Sequence, residues 1–168
     1  ELINDIRFFA RHTGPAMSPF NAWVLSKSLE TLAVRMDRHC SNALALAQAL
    51  EKEPGIDSVK YPFLPSHPQY ALAKRQMRQG GGVVTFTVSG GYERAKRFID
   101  AVTMLSSTAN LGDARSTVTH PASTTHSKLT DEERARVAIT PGLIRVSAGL
   151  EHIDDILADI RQALRRSS

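Results

Sequence analysis

The sequence predicts an α+β fold: a small, mainly antiparallel sheet with helices packed on one face, preceded by a long helix. Three observations predict it. Val83-Val84-Thr85-Phe86-Thr87-Val88 and Leu143-Ile144-Arg145-Val146-Ser147 are short β-branched runs of strand character. Two helical stripes accompany them, one through Ala95, Phe98, Ile99 and Val102, the other through Ile153, Ile156, Leu157, Ile160 and Leu164. Hairpin-scale gaps between some strands favour antiparallel pairing over a parallel α/β sheet.

The elements follow in order. Residues 1–12 form a short helix with Leu2, Ile6 and Phe9 on one side, ended by Thr13-Gly14-Pro15. Ser18 reads as an N-cap and Pro19 as the first helical residue. An apolar stripe then runs through Leu25, Leu29, Leu32, Met36, Ala43, Ala47 and Leu50, and Glu53-Pro54-Gly55 stops it. At ~1.5 Å per residue a helix over 19–51 is about 50 Å long. A compact chain of this length has a radius of gyration of roughly 15 Å, so the helix should reach beyond its domain. Its first turns carry Phe20, Trp23 and Val24, which call for an upstream domain, a second subunit, or both. The expected division is 1–52, a short helix and a connecting helix, and 53–168, the α+β domain.

Ile56–Tyr61 is the first strand candidate. Pro62, Pro65 and Pro68 mark a loop, and Tyr70–Met77 a helix. Gly80-Gly81-Gly82 is a turn before the strand 83–88; no strand precedes it and no Gly-Lys-Ser/Thr follows, so it is not a phosphate loop. Gly90-Gly91 turns into a helix, and a strand is expected at Thr103–Ser106. Residues 107–129, rich in Ser, Thr, His and Gly, read as a long loop, and long loops inside compact domains are often functional. Thr130-Asp131-Glu132-Glu133 is a capping box. Leu143–Ser147 is a strand, Gly149 a turn, and Glu151–Leu164 the last helix.

Composition bounds the function. The 168 residues are 42% hydrophobic and 23% charged, ordinary for a soluble globular chain. No apolar run approaches the roughly 20 residues of a membrane span, and the first residues lack a signal-peptide pattern. A cytoplasmic protein is expected. The net charge of +4 permits nucleic-acid binding, but the basic residues are scattered and no basic-aromatic array appears. Neither nucleic acid nor membrane is an expected partner. The single cysteine, Cys40, excludes an internal disulfide and a multi-cysteine metal site, and reads as a small core residue. The chain begins with Glu1, which suits an excised or processed piece.

Arg145 is the sharpest chemical feature. Ile144 and Val146 point to one face of its strand; Leu143, Arg145 and Ser147 point to the other. A guanidinium on a strand is costly without an anion, and its planar fork suits a carboxylate. The alternatives are an internal partner, Asp113 or Glu151, or plain exposure. His120-Pro121-Ala122-Ser123-Thr124-Thr125-His126, with Asp113, invites a metal reading, but the spacing fits no standard zinc motif. A polar turn lining a cleft is the expected reading. No Gly-x-Ser-x-Gly elbow or catalytic triad is nominated.

Three blocks carry a resemblance. The first is Ser18-Pro19-Phe20-Asn21-Ala22-Trp23 with Leu29-Glu30-Thr31-Leu32 and Arg35-Met36-x-x-His39. The second is Asn110-Leu111-Gly112-Asp113 followed by His120 to His126. The third is Gly142-Leu143-Ile144-Arg145-Val146-Ser147-Ala148-Gly149-Leu150-Glu151. Together, and in this order, they resemble the Cys/Met-metabolism family of pyridoxal-phosphate enzymes over nearly the whole chain. Within it they look most like the sulfhydrylases that use O-succinylhomoserine. Methionine γ-lyases and cystathionine enzymes more often carry Ser where this chain has Asn110.

The resemblance implies the C-terminal domain of a fold type I enzyme and a homotetramer built from close dimers. It implies a parent reaction in which sulfide replaces succinate, with pyridoxal 5'-phosphate as electron sink. It implies that Arg145 and the backbone around Asn110 and Leu111 bind the substrate α-carboxylate, and that Thr125 helps orient the site. The family's cofactor lysine, its phosphate-binding residues and its pyridine-nitrogen Asp belong upstream, and no block here matches them. Lys27 and Lys128 lack the lysine's context. The expectation is a chain with no catalytic residue and no covalent cofactor, inactive alone. The runner-up is a stand-alone binding or assembly module. The third reading is a metal-dependent hydrolase using His120, His126 and Asp113.

Overall fold

The structure is a computed structural model that describes residues 1–14 and 16–168. Pro15, read above as part of a helix stop, lies outside the described residues. The chain divides into two compact units, Glu1–Val34 and Arg35–Ser168.

The first unit is helical. Helix α1 spans Leu2–Thr13, and Gly14, at φ 85°, closes it in the left-handed conformation that glycine adopts without strain. Helix α2, Pro19–Glu30, is capped as expected: Ser18 Oγ accepts from the Asn21 amide at 3.1 Å. Neither helix contains a buried residue. The single helix expected over 19–51 is interrupted at Thr31, and α3 starts afresh as Leu32–Leu50. The cause is local. Ser28 Oγ donates to Val24 O at 2.8 Å and Thr31 Oγ1 to Ser28 O at 3.4 Å. Such back-bonding, next to a β-branched residue, bends and breaks helices.

The second unit holds the core. Its five strands are β1 (Ile56–Lys60), β2 (Val83–Val88), β3 (Ser106–Ser107), β4 (Thr117–Thr119) and β5 (Leu143–Ser147). They lie in the order β1-β2-β5-β4-β3, all antiparallel except the β3–β4 pair. The helices are α4 (Tyr70–Gln76), α5 (Gly91–Ala101), α6 (Asp131–Arg136) and α7 (Ile153–Arg166), joined by a short 3-10 turn at Pro121–Ser123. The α+β architecture is the expected one.

One sheet face is apolar. Val84, Phe86, Val88, Val118, Ile144 and Val146 are buried there in one cluster with residues of α3, α5 and α7. Phe86 and Phe98 meet edge to face at 5.7 Å. Cys40 is buried, as a small core residue should be.

Two strands depart from expectation. The segment 107–129 is not a structureless loop: Thr117–Thr119 forms β4, with all three residues buried. The strand expected at Thr103–Ser106 is instead Ser106–Ser107. Residues 103–105 are drawn out of the sheet because their amides go to Asp159, at 2.9 to 3.0 Å. The last helix starts at Ile153 rather than Glu151, with His152 as its N-cap. Thr130 and Glu133 form the expected capping box, each side chain accepting from the other's amide. Among the described residues no helix is long and apolar enough to cross a membrane.

Candidate functional site

The second sheet face is polar, and the strand register sets its rows. Arg145 lies between Thr85 on β2 and Thr119 on β4; the next row is Val83, Ser147 and Thr117. Thr117, Thr119 and Ser147 are buried, and Arg145 is half-buried.

The segment after β3 lies over this face. Arg145 Nη2 donates to the Ala109 carbonyl at 2.5 Å. Thr117 Oγ1 donates to Asn110 O at 3.1 Å, and Ser147 Oγ accepts from the Gly112 amide at 3.0 Å. Asn110 and Leu111 are exposed at its crest, Leu111 by 60%. Arg145 and the Asn110-Leu111 backbone are therefore brought together.

The internal partners considered for Arg145 are overturned. Glu151 accepts from the Ser116 amide at 2.5 Å and from its hydroxyl at 2.9 Å. Asp113 accepts from the Arg115 amide at 2.9 Å, which holds its carboxyl below the usual range. Among the described residues no carboxylate lies within ion-pair distance of Arg145. A guanidinium has two two-point grips, Nη1 with Nη2 and Nε with Nη2. Ala109 takes one Nη2 hydrogen, so one grip stays open for an anion.

The segment 120–126 lies beside the same rows. Thr119 Oγ1, next to Arg145 in register, bonds Thr124 Oγ1 at 2.9 Å, and Thr124 Oγ1 donates to His120 O at 2.8 Å. Thr125 is exposed, and its hydroxyl bonds the His126 ring at 2.8 Å. His120 is buried, with Nε2 2.7 Å from Pro141 O and Nδ1 2.9 Å from Ser123 Oγ. The carbonyl can only accept, so Nε2 carries the proton and Nδ1 accepts from Ser123. Burial holds the His120 pKa down, aided by Lys96 and Arg134, against the Pro141 bond that raises it.

The metal reading fails on this geometry. Both His120 nitrogens are engaged, His126 bonds Thr125, and Asp113 bonds Arg115. Among the described residues no group of three His, Cys, Asp or Glu side chains could hold a metal ion.

A pyridoxal-type cofactor needs a lysine, a carboxylate for the ring nitrogen and a cradle for its phosphate. Among the described residues the surface cavities do not bring that set together. Lys27 pairs with Glu30 at 2.9 Å on the surface of α2. Lys74 lies 4.8 Å over Phe63 and Lys96 5.7 Å over Tyr92. In none of five surface cavities does a lysine share the lining with a carboxylate. Arg145 lines none of these five.

Sequence reasoning missed Ser147 and Thr117. Ser147 shares the alternation that exposed Arg145, two residues on. Thr117 was hidden by the reading of 107–129 as loop, although Thr-Val-Thr is a β-branched run.

The chain matches the family model described as Cys/Met metabolism PLP-dependent enzyme over residues 1–165. It is 52% identical to the O-succinylhomoserine sulfhydrylase of Pseudomonas aeruginosa, with 98% of this chain and 41% of that protein covered. It is 49% identical to the L-methionine gamma-lyase of Pseudomonas putida, with 93% and 39% covered. A crystal structure of a putative O-acetylhomoserine (thiol)-lyase from Campylobacter jejuni, which carries N'-pyridoxyl-lysine-5'-monophosphate, superposes with a TM-score of 0.89. Its identity is 41%, and 97% of this chain and 39% of that one are covered. The chain thus spans about two fifths of the length of these relatives.

Proposed function

Because this chain belongs to the Cys/Met metabolism PLP-dependent enzyme family, we propose that it is the substrate-carboxylate arm of a sulfur amino-acid enzyme. Arg145 grips the α-carboxylate through its open fork. The Asn110-Leu111 backbone supplies a further contact, and Thr125 orients the rim of the site. The observation that carries this reading is Arg145 itself: half-buried, bonded to Ala109 O, and without a carboxylate partner among the described residues.

The division of labour follows from the residues. The electron sink is pyridoxal phosphate, and among the described residues no lysine shares one of the five cavities with a carboxylate. What this chain does is bind and orient. A half-buried Arg145 without a carboxylate partner among the described residues suits a site whose second wall comes from elsewhere in the assembly. We take residues 53–168 as the domain that presents the wall and 1–52 as the connection to the cofactor-bearing part. The exposed Phe20 and Trp23, at 68% and 58%, support a contact surface in a homo-oligomer, and a cytoplasmic setting goes with this reading.

For the parent reaction we favour replacement of succinate on O-succinylhomoserine by sulfide. The similarity to a succinyl-using sulfhydrylase and Asn110 support it. The similarity to a γ-lyase, three percentage points lower by identity, supports elimination as the second reading.

The test titrates the 168-residue chain with L-methionine and with L-methioninol, which lacks the carboxylate, following the Arg145 Nε–H signal by NMR. L-methionine should shift it and L-methioninol should not. Equal shifts overturn the carboxylate reading. In parallel, pyridoxal phosphate should give no Schiff-base absorbance with this chain. A band trapped by borohydride at one defined lysine overturns the division of labour.

A further inference from the structure

Three side chains of the polar sheet face hold three residues of the segment 109–112. Arg145 holds Ala109 O, Thr117 Oγ1 holds Asn110 O, and Ser147 Oγ holds the Gly112 amide. Thr117 and Ser147 face each other across β4 and β5, each only 3% exposed, so water cannot replace their hydroxyls.

The trans peptide turns these contacts into a direction. In a planar trans unit the C=O and N–H point opposite ways. Asn110 O belongs to the same peptide as Leu111 N–H. Thr117 pulls that oxygen toward the sheet, so the Leu111 N–H faces away from it. The Gly112 N–H, drawn inward by Ser147, likewise sends Leu111 O outward. The Leu111 N–H has no acceptor among the described residues.

We infer that Thr117 and Ser147 are positioning residues for carboxylate binding, because their buried hydroxyls fix two successive peptide planes and aim the Leu111 N–H outward beside Arg145. The inference rests on the carboxylate reading above. Neither side chain touches the ligand; both act through the backbone. A loop free to rotate those planes would point the N–H elsewhere part of the time and bind an anion less tightly.

The experiment uses the full 168-residue chain, 15N-labelled, with L-methionine as probe and the Leu111 amide and Arg145 Nε–H as reporters. Thr117→Val keeps the shape and removes the hydroxyl; Thr117→Ser keeps the hydroxyl. Thr117→Val and Ser147→Ala should each weaken binding about fivefold, the worth of one ordinary hydrogen bond. The Leu111 amide should lose its ligand-induced shift while that of Arg145 persists at saturation. Thr117→Ser should bind as the unsubstituted chain does. A purely structural role would move both reporters together. If Thr117→Val and Ser147→Ala bind normally while Arg145→Ala does not bind, positioning is overturned and the carboxylate reading stands. If Arg145→Ala binds normally, the carboxylate reading falls and this inference with it. Should Thr117→Val unfold the chain, Ser147→Ala decides on the same reporters.

Discussion

Glu151 gives both carboxylate oxygens to Ser116, one to its amide and one to its hydroxyl, at 2.5 and 2.9 Å. Ser116 Oγ in turn accepts from the Gly149 amide at 2.8 Å. Asn42 on α3 closes the cluster by donating to the Gly149 and Glu151 carbonyls, both at 2.9 Å. The network ties α3, the entry to β4 and the exit of β5 together. It also explains why Glu151 cannot serve Arg145. Glu151→Gln keeps the shape, loses the charge and turns an amide NH2 toward a donor. It should cost about 2 kcal/mol, the scale of a hydrogen bond to a charged group. Urea unfolding with an unchanged slope and a lower midpoint is the expected result.

The same corner leaves no room at Gly149. A Cβ there would lie 2.5 Å from the Arg115 carbonyl carbon and closer still to the Ser116 amide. Those are backbone atoms of the strand entry and cannot swing aside. Gly149→Ala should therefore cost more than ~3 kcal/mol. Gly81→Ala makes the contrast. Nothing lies within 4 Å of its Cβ, and only its φ of 82° opposes the change, so about 1 kcal/mol is expected. Thermal melts of the two variants should separate clearly.

What was legible in the sequence depended on where the determining partner lay. Strands β2 and β5 were readable because their own alternation sets the buried face. The capping box at Thr130 was readable because both partners lie within four residues. The sheet face that Arg145 takes was readable because strand alternation predicts it. The actual partner of Arg145, the Ala109 carbonyl, was not, because backbone acceptors leave no mark on side-chain identity. The misplaced β3 has a similar cause: residues 103–105 are claimed by Asp159, more than fifty positions away. The missed β4 is three residues long, too short for periodicity to speak.

His120 makes a pH prediction. Burial favours its neutral form, so its folded pKa lies below the ordinary value. The unfolded chain then binds more protons in the window beneath about 6.5. The stabilisation is complete above that pH and is lost as pH falls through the window. Unfolding midpoints should be flat from pH 8 to 7 and decline toward pH 5.5. His120→Gln, which can donate to Pro141 O and does not titrate, should reduce that decline. An identical slope in the variant would assign it to another group.

Asp159 governs the more acidic limb. Burial alone would raise its pKa. The amides of Leu105, Thr103 and Met104 and the Thr103 hydroxyl outweigh that and hold it at about 2. Its unfolded value is near 3.8, so the carboxylate contributes on the order of 2 kcal/mol at neutral pH. That stabilisation is present above the unfolded pKa and disappears as pH falls from about 4 to 2. Asp159→Asn should lose it at every pH and also turn an NH2 donor toward amides that need an acceptor. The variant should be at least 2 to 3 kcal/mol less stable at pH 7 and lack the acid limb. The effect should also reach the candidate site. Asp159 anchors the link that delivers β3, β3 pairs with β4, and Thr117 on β4 holds Asn110. Loosening that anchor should broaden the Gly112 and Leu111 amide signals at pH 7, before global unfolding. Sharp, unshifted signals in Asp159→Asn would show that β4 holds its register without help from α7.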